Sequence, residues 1–310
     1  MRIDKKLGIR YPLIQGGMAN IATGEFAAAV SNAGALGLIG AGGMSVEQLE
    51  EQIAICRKLT DKPFGVNLML MNPQAPQMAE LLANEKIAVI TTGAGNPAAY
   101  IPKWKENGSL VMPVMTSTLI AKRLEAAGAD YIIAEGTESG GHVGEMTTMA
   151  MIPQMVDALH IPVIAAGGIA DGRQVLAAFA LGASGVQVGT CLLASKECPI
   201  HANYKDAVLK AKDNDTVVTG RIGGTPVRIL KNQMAREYVK REKEGADKME
   251  LESYTLGSLR RAVFEGDTKT GSLMAGQVAG QLKEIRTLEE IFEDMFAGAK
   301  KTYEELGTMK

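Results

Sequence analysis

The chain is poor in the residues that staple small folds together. Three cysteines, Cys56, Cys191 and Cys198, are an odd and sparse set in 310 residues. They argue against a disulfide framework and for a reducing cytoplasm. No Cys-x-x-Cys or paired-histidine spacing occurs, so no zinc site and no metal ligand is assigned. Histidine is scarce at three and tryptophan occurs once. No apolar run reaches the length of a membrane helix, and Met1 to Lys6 lack the apolar core of a signal peptide. A net charge of −2 carries no excess that points to nucleic acid, leaving only a local basic patch to consider.

Glycine (35) and methionine (17) are plentiful instead. Methionine reads first as adaptable core filler. The sharper reading is a wall for a greasy substrate, with Met69, Met71, Met112 and Met115 near strand ends as candidates. At 46% hydrophobic and 22% charged the composition is that of a globular protein, long enough for one large core and a smaller appendage.

Short apolar runs alternate with amphipathic stretches. The runs are Leu13 to Met18, Gly37 to Gly40, Phe64 to Met69, Ile87 to Thr91, Leu110 to Val114, Tyr131 to Ala134, Pro162 to Gly168 and Gly185 to Thr190. Ser45 with Gln48, Pro97, and Asp171 with Gln174 are placed to start helices between them. Eight strands alternating with helices over about two hundred residues predict an α/β fold, a (β/α)8 TIM barrel. The runs are continuous, as parallel strands covered on both faces require. A doubly wound open sheet is the alternative. The expected division is a barrel over 1–199, a helical lid over 200–286, and a terminal helix over 287–310 that packs back on the barrel. In the lid, helices are expected at His201 to Lys212, Ile229 to Glu244 and Thr255 to Phe264, with Arg221 to Pro226 a loop and no strand pairs.

Glycines cluster at the C-terminal ends of the strands, where this fold builds its active site. Gly167 and Gly168 follow strand seven. Gln187, Gly189 and Thr190 close strand eight. Loops at these two places often grip a phosphate through backbone N–H groups; tight turns into helices are the plain alternative. Gly17, Met18 and Ala19 end strand one and Asn67 lies on strand three, where close backbone and an amide suit the edge of a flat heteroaromatic ring. The most distinctive stretch is Glu135 to Gly144, a strand end followed by Gly140, Gly141 and His142. A histidine there exchanges a proton near neutral pH, so His142 is the catalytic candidate, against a loop histidine merely packed on its neighbours. Glu135 and Glu138 read either as holders of an imidazole, a hydroxyl or a cation, or as solvated loop charges. His160 reads as structural and His201 is undecided. Cys191 follows strand eight, but loop six has no cysteine, which counts against thiolate chemistry of the inosine-monophosphate dehydrogenase kind.

Tyr11 to Met18, Asp61 to Asn67, Thr91 to Pro97, Ala134 to Gly144, Pro162 to Gly172 and Val186 to Thr190 together resemble one family, across essentially the whole chain. It is the FMN-dependent nitronate monooxygenase and enoyl-acyl-carrier-protein reductase II group. Glu135, where many nitronate monooxygenases carry glutamine, and the segments Asn203 to Lys205, Lys231 to Gln233 and Gly271 to Gln277 look closer to the reductase. Ser139 departs from a common alanine. The resemblance implies non-covalent FMN over a barrel with a helical lid, His142 as the active-site histidine, and a monovalent cation near loop six. It implies reduction of a trans-2-enoyl-acyl carrier protein with NAD(P)H, in fatty acid biosynthesis.

No Rossmann fingerprint follows a strand, so the nicotinamide is expected to visit transiently. Acyl carrier protein is acidic, and Lys205, Lys210, Lys212, Arg221, Arg228 and Lys231 are the candidates for a basic docking patch. The rival readings are nitronate oxidation by FMN and oxygen, and a non-catalytic barrel that binds a phosphate ligand. A homodimer is compatible with the sequence. It does not choose NADH over NADPH, nor an acyl chain length.

Overall fold

The computed structural model describes residues 1–223 and 225–308. Its strands are β1 (Leu13–Gln15), β2 (Gly37–Gly40), β3 (Phe64–Met69), β4 (Val89–Gly93), β5 (Leu110–Met115), β6 (Ile132–Glu135), β7 (Gly141–His142), β8 (Val163–Ala166), β9 (Val186–Val188), β10 (Thr216–Thr219) and β11 (Val227–Leu230). Eight of them form one parallel sheet in the order β1-β9-β8-β6-β5-β4-β3-β2. The two ends of that order meet. Ile14 bridges Leu36, Leu36 N donates to Leu13 O at 2.9 Å, and Gln15 N donates to Leu36 O at 2.9 Å. The buried Gln15 side chain reinforces the seam, its Nε2 donating to Leu38 O at 3.1 Å. The sheet is therefore a closed (β/α)8 barrel, not an open doubly wound sheet.

Local chemistry starts the helices where the residues suggest. Ser45 with Gln48, Asp171 with Gln174 and Thr287 with Glu290 form complete capping boxes for Val46–Leu59, Gly172–Ala180 and Leu288–Gly307, each box satisfying amides that a helix end leaves unpaired. Pro97 is a small correction. It lies in a turn ahead of the helix Ile101–Glu106, its carbonyl accepting from Tyr100 N at 2.8 Å.

Two apolar layers hold the barrel. The inner one includes Ile14, Leu36, Leu38, Met112, Ile133 and Ile164, joined by Ile3 of the first helix, which plugs the bottom. Ile3 N ties that plug to Ser184 O at 3.1 Å. Met112 is thus barrel core rather than substrate wall, because its strand position points it inward below the mouth. The larger outer layer lies between strands and helices. The last helix packs on Gly172–Ala180, where a Cβ at Gly172 would collide with the backbone of Gly298 and Ala299. Tyr11 stacks on Phe296 of that helix at 4.9 Å.

Beyond residue 200 lie the helices Ala202–Lys210, Gln233–Lys243 and Lys248–Thr255, and Thr225, Pro226, Leu259, Met274 and Val278 of this region line the cavity at the mouth. The helices are accompanied by strands, which corrects the expectation of none. β10 and β11 form an antiparallel hairpin, and β11 also pairs with β7 inside the loop after β6. Ile229 and Leu230 belong to β11, not to a helix. The β-branched runs Thr216–Thr219 and Val227–Leu230 suit a pleated half-buried surface, and Ile229 packs with Met234 and Tyr238 in a small core of the cap. The helix expected from Thr255 to Phe264 is broken into Ser258–Arg260 and a wider turn, Arg261–Glu265.

Candidate active site

A cavity of about 950 Å³ opens at the C-terminal mouth. Every residue singled out for a site lines it: Gly17, Met18, Ala19, Asn67, Glu135, Gly140, Gly141, His142, Gly167, Gly168, Gln187, Gly189 and Thr190. Met69, Met71 and Met115 also line it, as does Met274 of the cap.

The loop after β6 is held from three sides. Glu138 is no solvated charge; its carboxylate accepts from Thr148 N at 3.0 Å on both oxygens and from Thr148 Oγ1 at 3.0 Å. Thr148 Oγ1 also lies 2.9 Å from Gly167 O. Buried Arg228 reaches over from β11, its Nε and Nη2 donating to Thr137 O at 3.1 and 2.9 Å, and its Nη1 to Thr216 Oγ1 at 3.0 Å. Burial, and then the charge of Arg221, depress the Arg228 pKa, while Glu138 opposes the shift. On the third side Gln277 N donates to Glu138 O at 2.9 Å, and Gly276 N to Thr190 Oγ1 at 2.9 Å. Gly140 lets this segment approach. A Cβ there would sit 2.7 Å from the backbone of Ala275.

His142 is fixed by the hairpin. It pairs with Val227, and Val143 N donates to Pro226 O at 3.1 Å. His142 is exposed and lines the cavity. Protein atoms crowd the ring on its other sides, and that desolvation lowers its pKa below the ordinary histidine value. The imidazole is therefore neutral at pH 7, with one N–H to donate.

Across the mouth the turns after β8 and β9 form a cradle. Gly167 and Gly168 have φ of +90° and +74°, a region that favours glycine, and a Cβ at Gly167 would meet Gly136 O at 2.8 Å. Among the described residues, the amides of Gly167, Gly168, Gly189 and Thr190 donate to no protein oxygen. Gln187 Oε1 is buried without a partner. Unmet amides at two adjacent turns make an anion nest, and a buried amide oxygen left alone costs about 1–3 kcal/mol unless a ligand satisfies it. At the opposite wall Gly17 abuts the Asn67 side chain, leaving no room for a Cβ. Asn67 Nδ2 is held by Thr91 Oγ1 at 2.9 Å. Cradle, orphaned amide and bare backbone wall suit a phosphorylated heteroaromatic group.

Glu135 lies at the cavity floor. Burial raises its carboxyl pKa to about 7, with Ser139 pulling the other way. Ser139 Oγ nevertheless has no hydrogen bond of ordinary geometry, so burial is the effect that decides. Among the described residues no three or more His, Cys, Asp or Glu side chains converge.

The remaining candidates fall elsewhere. His201 caps its helix, Nδ1 accepting from Asn203 N at 3.1 Å. His160 sits at a turn held by Glu125. Cys191 is buried and its thiol pKa is pushed up to about 12 by burial, so it offers no thiolate. Lys205 and Arg228 leave the docking patch. Lys205 is buried and its Nζ donates to Ser195 O at 2.6 Å and Lys196 O at 3.3 Å; Arg228 is spent on loop six. Lys210, Lys212, Arg221 and Lys231 are exposed. The Arg228 and Thr148 struts were not read from the sequence. Their partners lie 91 and 10 residues away, and no local motif joins them.

A closed barrel with a deep cavity at this end, an anion cradle after its last two strands and an imidazole across from it defines a class: barrel enzymes that work on a phosphate-bearing group. Comparison with known proteins narrows it. The nitronate monooxygenase family model matches residues 1–85 and 75–298, and the chain belongs to that family of flavin-dependent oxidoreductases. The structure of FabK from Thermotoga maritima superposes with a TM-score of 0.95 at 48% identity, over 98% of this chain and 97% of that one. A probable nitronate monooxygenase of Staphylococcus saprophyticus is 34% identical over 89% of this chain and 91% of its own. The (3aS,4S,5R,7aS)-5-hydroxy-7a-methyl-1-oxo-octahydro-1H-indene-4-carboxyl-CoA dehydrogenase of Rhodococcus jostii is 31% identical over 99% of this chain and 98% of its own. Among the described residues no helix is long and apolar enough to cross a membrane.

Proposed function

We propose that the chain is an FMN-dependent reductase of trans-2-enoyl thioesters carried on acyl carrier protein, using NAD(P)H, in fatty acid biosynthesis. The observation that carries the reading is the 48% identity, over nearly the whole chain, to FabK, an enoyl-acyl-carrier-protein reductase II. The relatives named as nitronate monooxygenases stand at 34%. A relative named as a carboxyl-CoA dehydrogenase supports a thioester substrate but names neither enoyl reduction nor acyl carrier protein.

FMN's phosphate would lie against the amides of Gly167, Gly168, Gly189 and Thr190, and its ring edge against Gly17, Met18, Ala19 and Asn67. The chemistry such a flavin supplies when bound is hydride transfer between the nicotinamide and C3 of the enoyl thioester. The chain supplies the rest. Met69, Met71 and Met115 give an adaptable apolar wall for the acyl chain. His142, neutral at pH 7, donates its ring N–H to the thioester oxygen, where negative charge develops. Water then restores the proton at C2, or the imidazole relays it.

The test is anaerobic. NAD(P)H should bleach the flavin-loaded protein, and a crotonyl thioester should restore the colour. Bleaching that only oxygen reverses, or none at all, contradicts the reductase. Nitronate oxidation is the second reading, favoured by the family model itself. It requires colour loss with a nitronate and no need of NAD(P)H.

A further inference from the structure

A second chamber of about 400 Å³ opens off the main cavity beside His142, sharing Met71, Thr225, Leu259 and Met274 with it. Its walls mix apolar, hydroxyl and charged side chains. Ile229, Met234 and Tyr238 are apolar and largely buried. Thr219, Thr255 and Ser258 present hydroxyl oxygens as acceptors, the threonines donating to Val227 O at 3.3 Å and Leu251 O at 3.2 Å, and Ser258 sharing a hydrogen bond with Ser272 at 2.7 Å. Two cations, Lys248 and Arg260, stand at its exposed rim. Lys248 shares its charge with Glu252 at 3.5 Å. Arg260 lies over the Phe264 ring at 4.9 Å and makes no ion pair among the described residues.

We infer that this chamber receives the phosphopantetheine arm of a thioester substrate, with the arm's phosphate at Arg260 and Lys248 and its sulfur delivered beside His142. The inference rests on the thioester reading above. The arm is slender, alternates methylenes with amides, and ends in a phosphate. A chamber lined by both apolar and hydroxyl-bearing side chains suits its mixed chemistry, and a guanidinium with no ion pair among the described residues suits its end, since arginine binds phosphate bidentately. A dinucleotide carries two ring systems, and the chamber has less than half the main cavity's volume.

The test uses saturated butyryl esters, which bind without turning over. On the flavin-loaded full chain, calorimetry should find butyryl-pantetheine 4′-phosphate at least about tenfold tighter than butyryl-pantetheine, the scale of one charge-assisted contact. An Arg260→Gln/Lys248→Gln variant should lose that difference and still bind the unphosphorylated ester as wild type does. Equal affinities in the wild type overturn the inference, as does a difference that survives the double substitution. Acyl-CoA and acyl carrier protein share the arm, so the variant should weaken both equally. A loss confined to acyl-CoA assigns the cations to its adenosine phosphates and overturns the proposal, and so does a loss confined to NAD(P)H. Failure of the reductase reading shows separately, as no NAD(P)H oxidation with the matching crotonyl esters.

Discussion

The two ends of the barrel are built to opposite specifications. At the bottom, Ile3 and the inner layer of Ile14, Leu36 and Ile164 are fully buried, and Ile3 N and Leu36 N donate to Ser184 O and Leu13 O. At the mouth, among the described residues, amides of four residues and the oxygen of Gln187 are left unmet, and a carboxyl that lines the cavity has its pKa raised by burial. The bottom spends its residues on stability. The mouth gives up stability to hold open a shaped, polar hollow, as expected where this fold does chemistry. Substitutions at the two ends should therefore separate activity from melting temperature.

The largest effect is expected at the mouth. His142→Ala should cut turnover of an enoyl thioester by about 10²–10⁴-fold, read as kcat, while flavin content and melting temperature stay near wild type. At the bottom the signs reverse. Ile3→Ala should cost about 2–5 kcal/mol of stability in a denaturant melt and leave kcat unchanged in the folded protein.

Glu135 should make the mouth's cost visible through pH. Its folded pKa is raised to about 7 from the ordinary carboxyl value, so the folded state prefers the protonated acid. Below about pH 4.5 both states hold the proton and there is no penalty. As pH rises towards 7 and beyond, the flavin-free protein should lose up to about 3 kcal/mol relative to Glu135→Gln. His142, with its lowered pKa, acts oppositely, adding stability as pH rises towards the ordinary histidine value and nothing further above it, so the comparison with Glu135→Gln is what isolates the carboxyl. A difference curve that stays flat between pH 4 and about 8 contradicts the buried-acid assignment.

Gly140→Ala should separate loop six from the cap and cost about 1–3 kcal/mol, with thioester KM rising more than stability falls. Smallest of all is the helix surface far from both ends. Removing Lys301, 3.9 Å from Glu305, should change stability by less than about 0.5 kcal/mol.

The same contrast governs what was legible. The barrel repeats apolar runs alternating with helices, and Ser45 and Asp171 within it, like Thr287 of the last helix, announce their helices within four residues. The site residues were legible because they sit at the ends of those repeats. The cap was read less well. Val227 to Leu230 looks as much like a helix start as a strand until its partners Thr216–Thr219 and Gly141–His142 are known, and the second pairing joins residues far apart in the chain. The buried Lys205 and Arg228 were misread for a related reason. A long cation with an apolar stem goes inside when backbone oxygens wait for it, and nothing local shows those oxygens.

The central claim is that backbone amides at Gly167, Gly168, Gly189 and Thr190 grip a phosphate. Titrating flavin-free protein with FMN and with riboflavin tests it most directly. FMN should bind roughly a hundredfold tighter or more, the scale of two charge-assisted hydrogen bonds. Equal affinity for the two, or no binding of either, would contradict it.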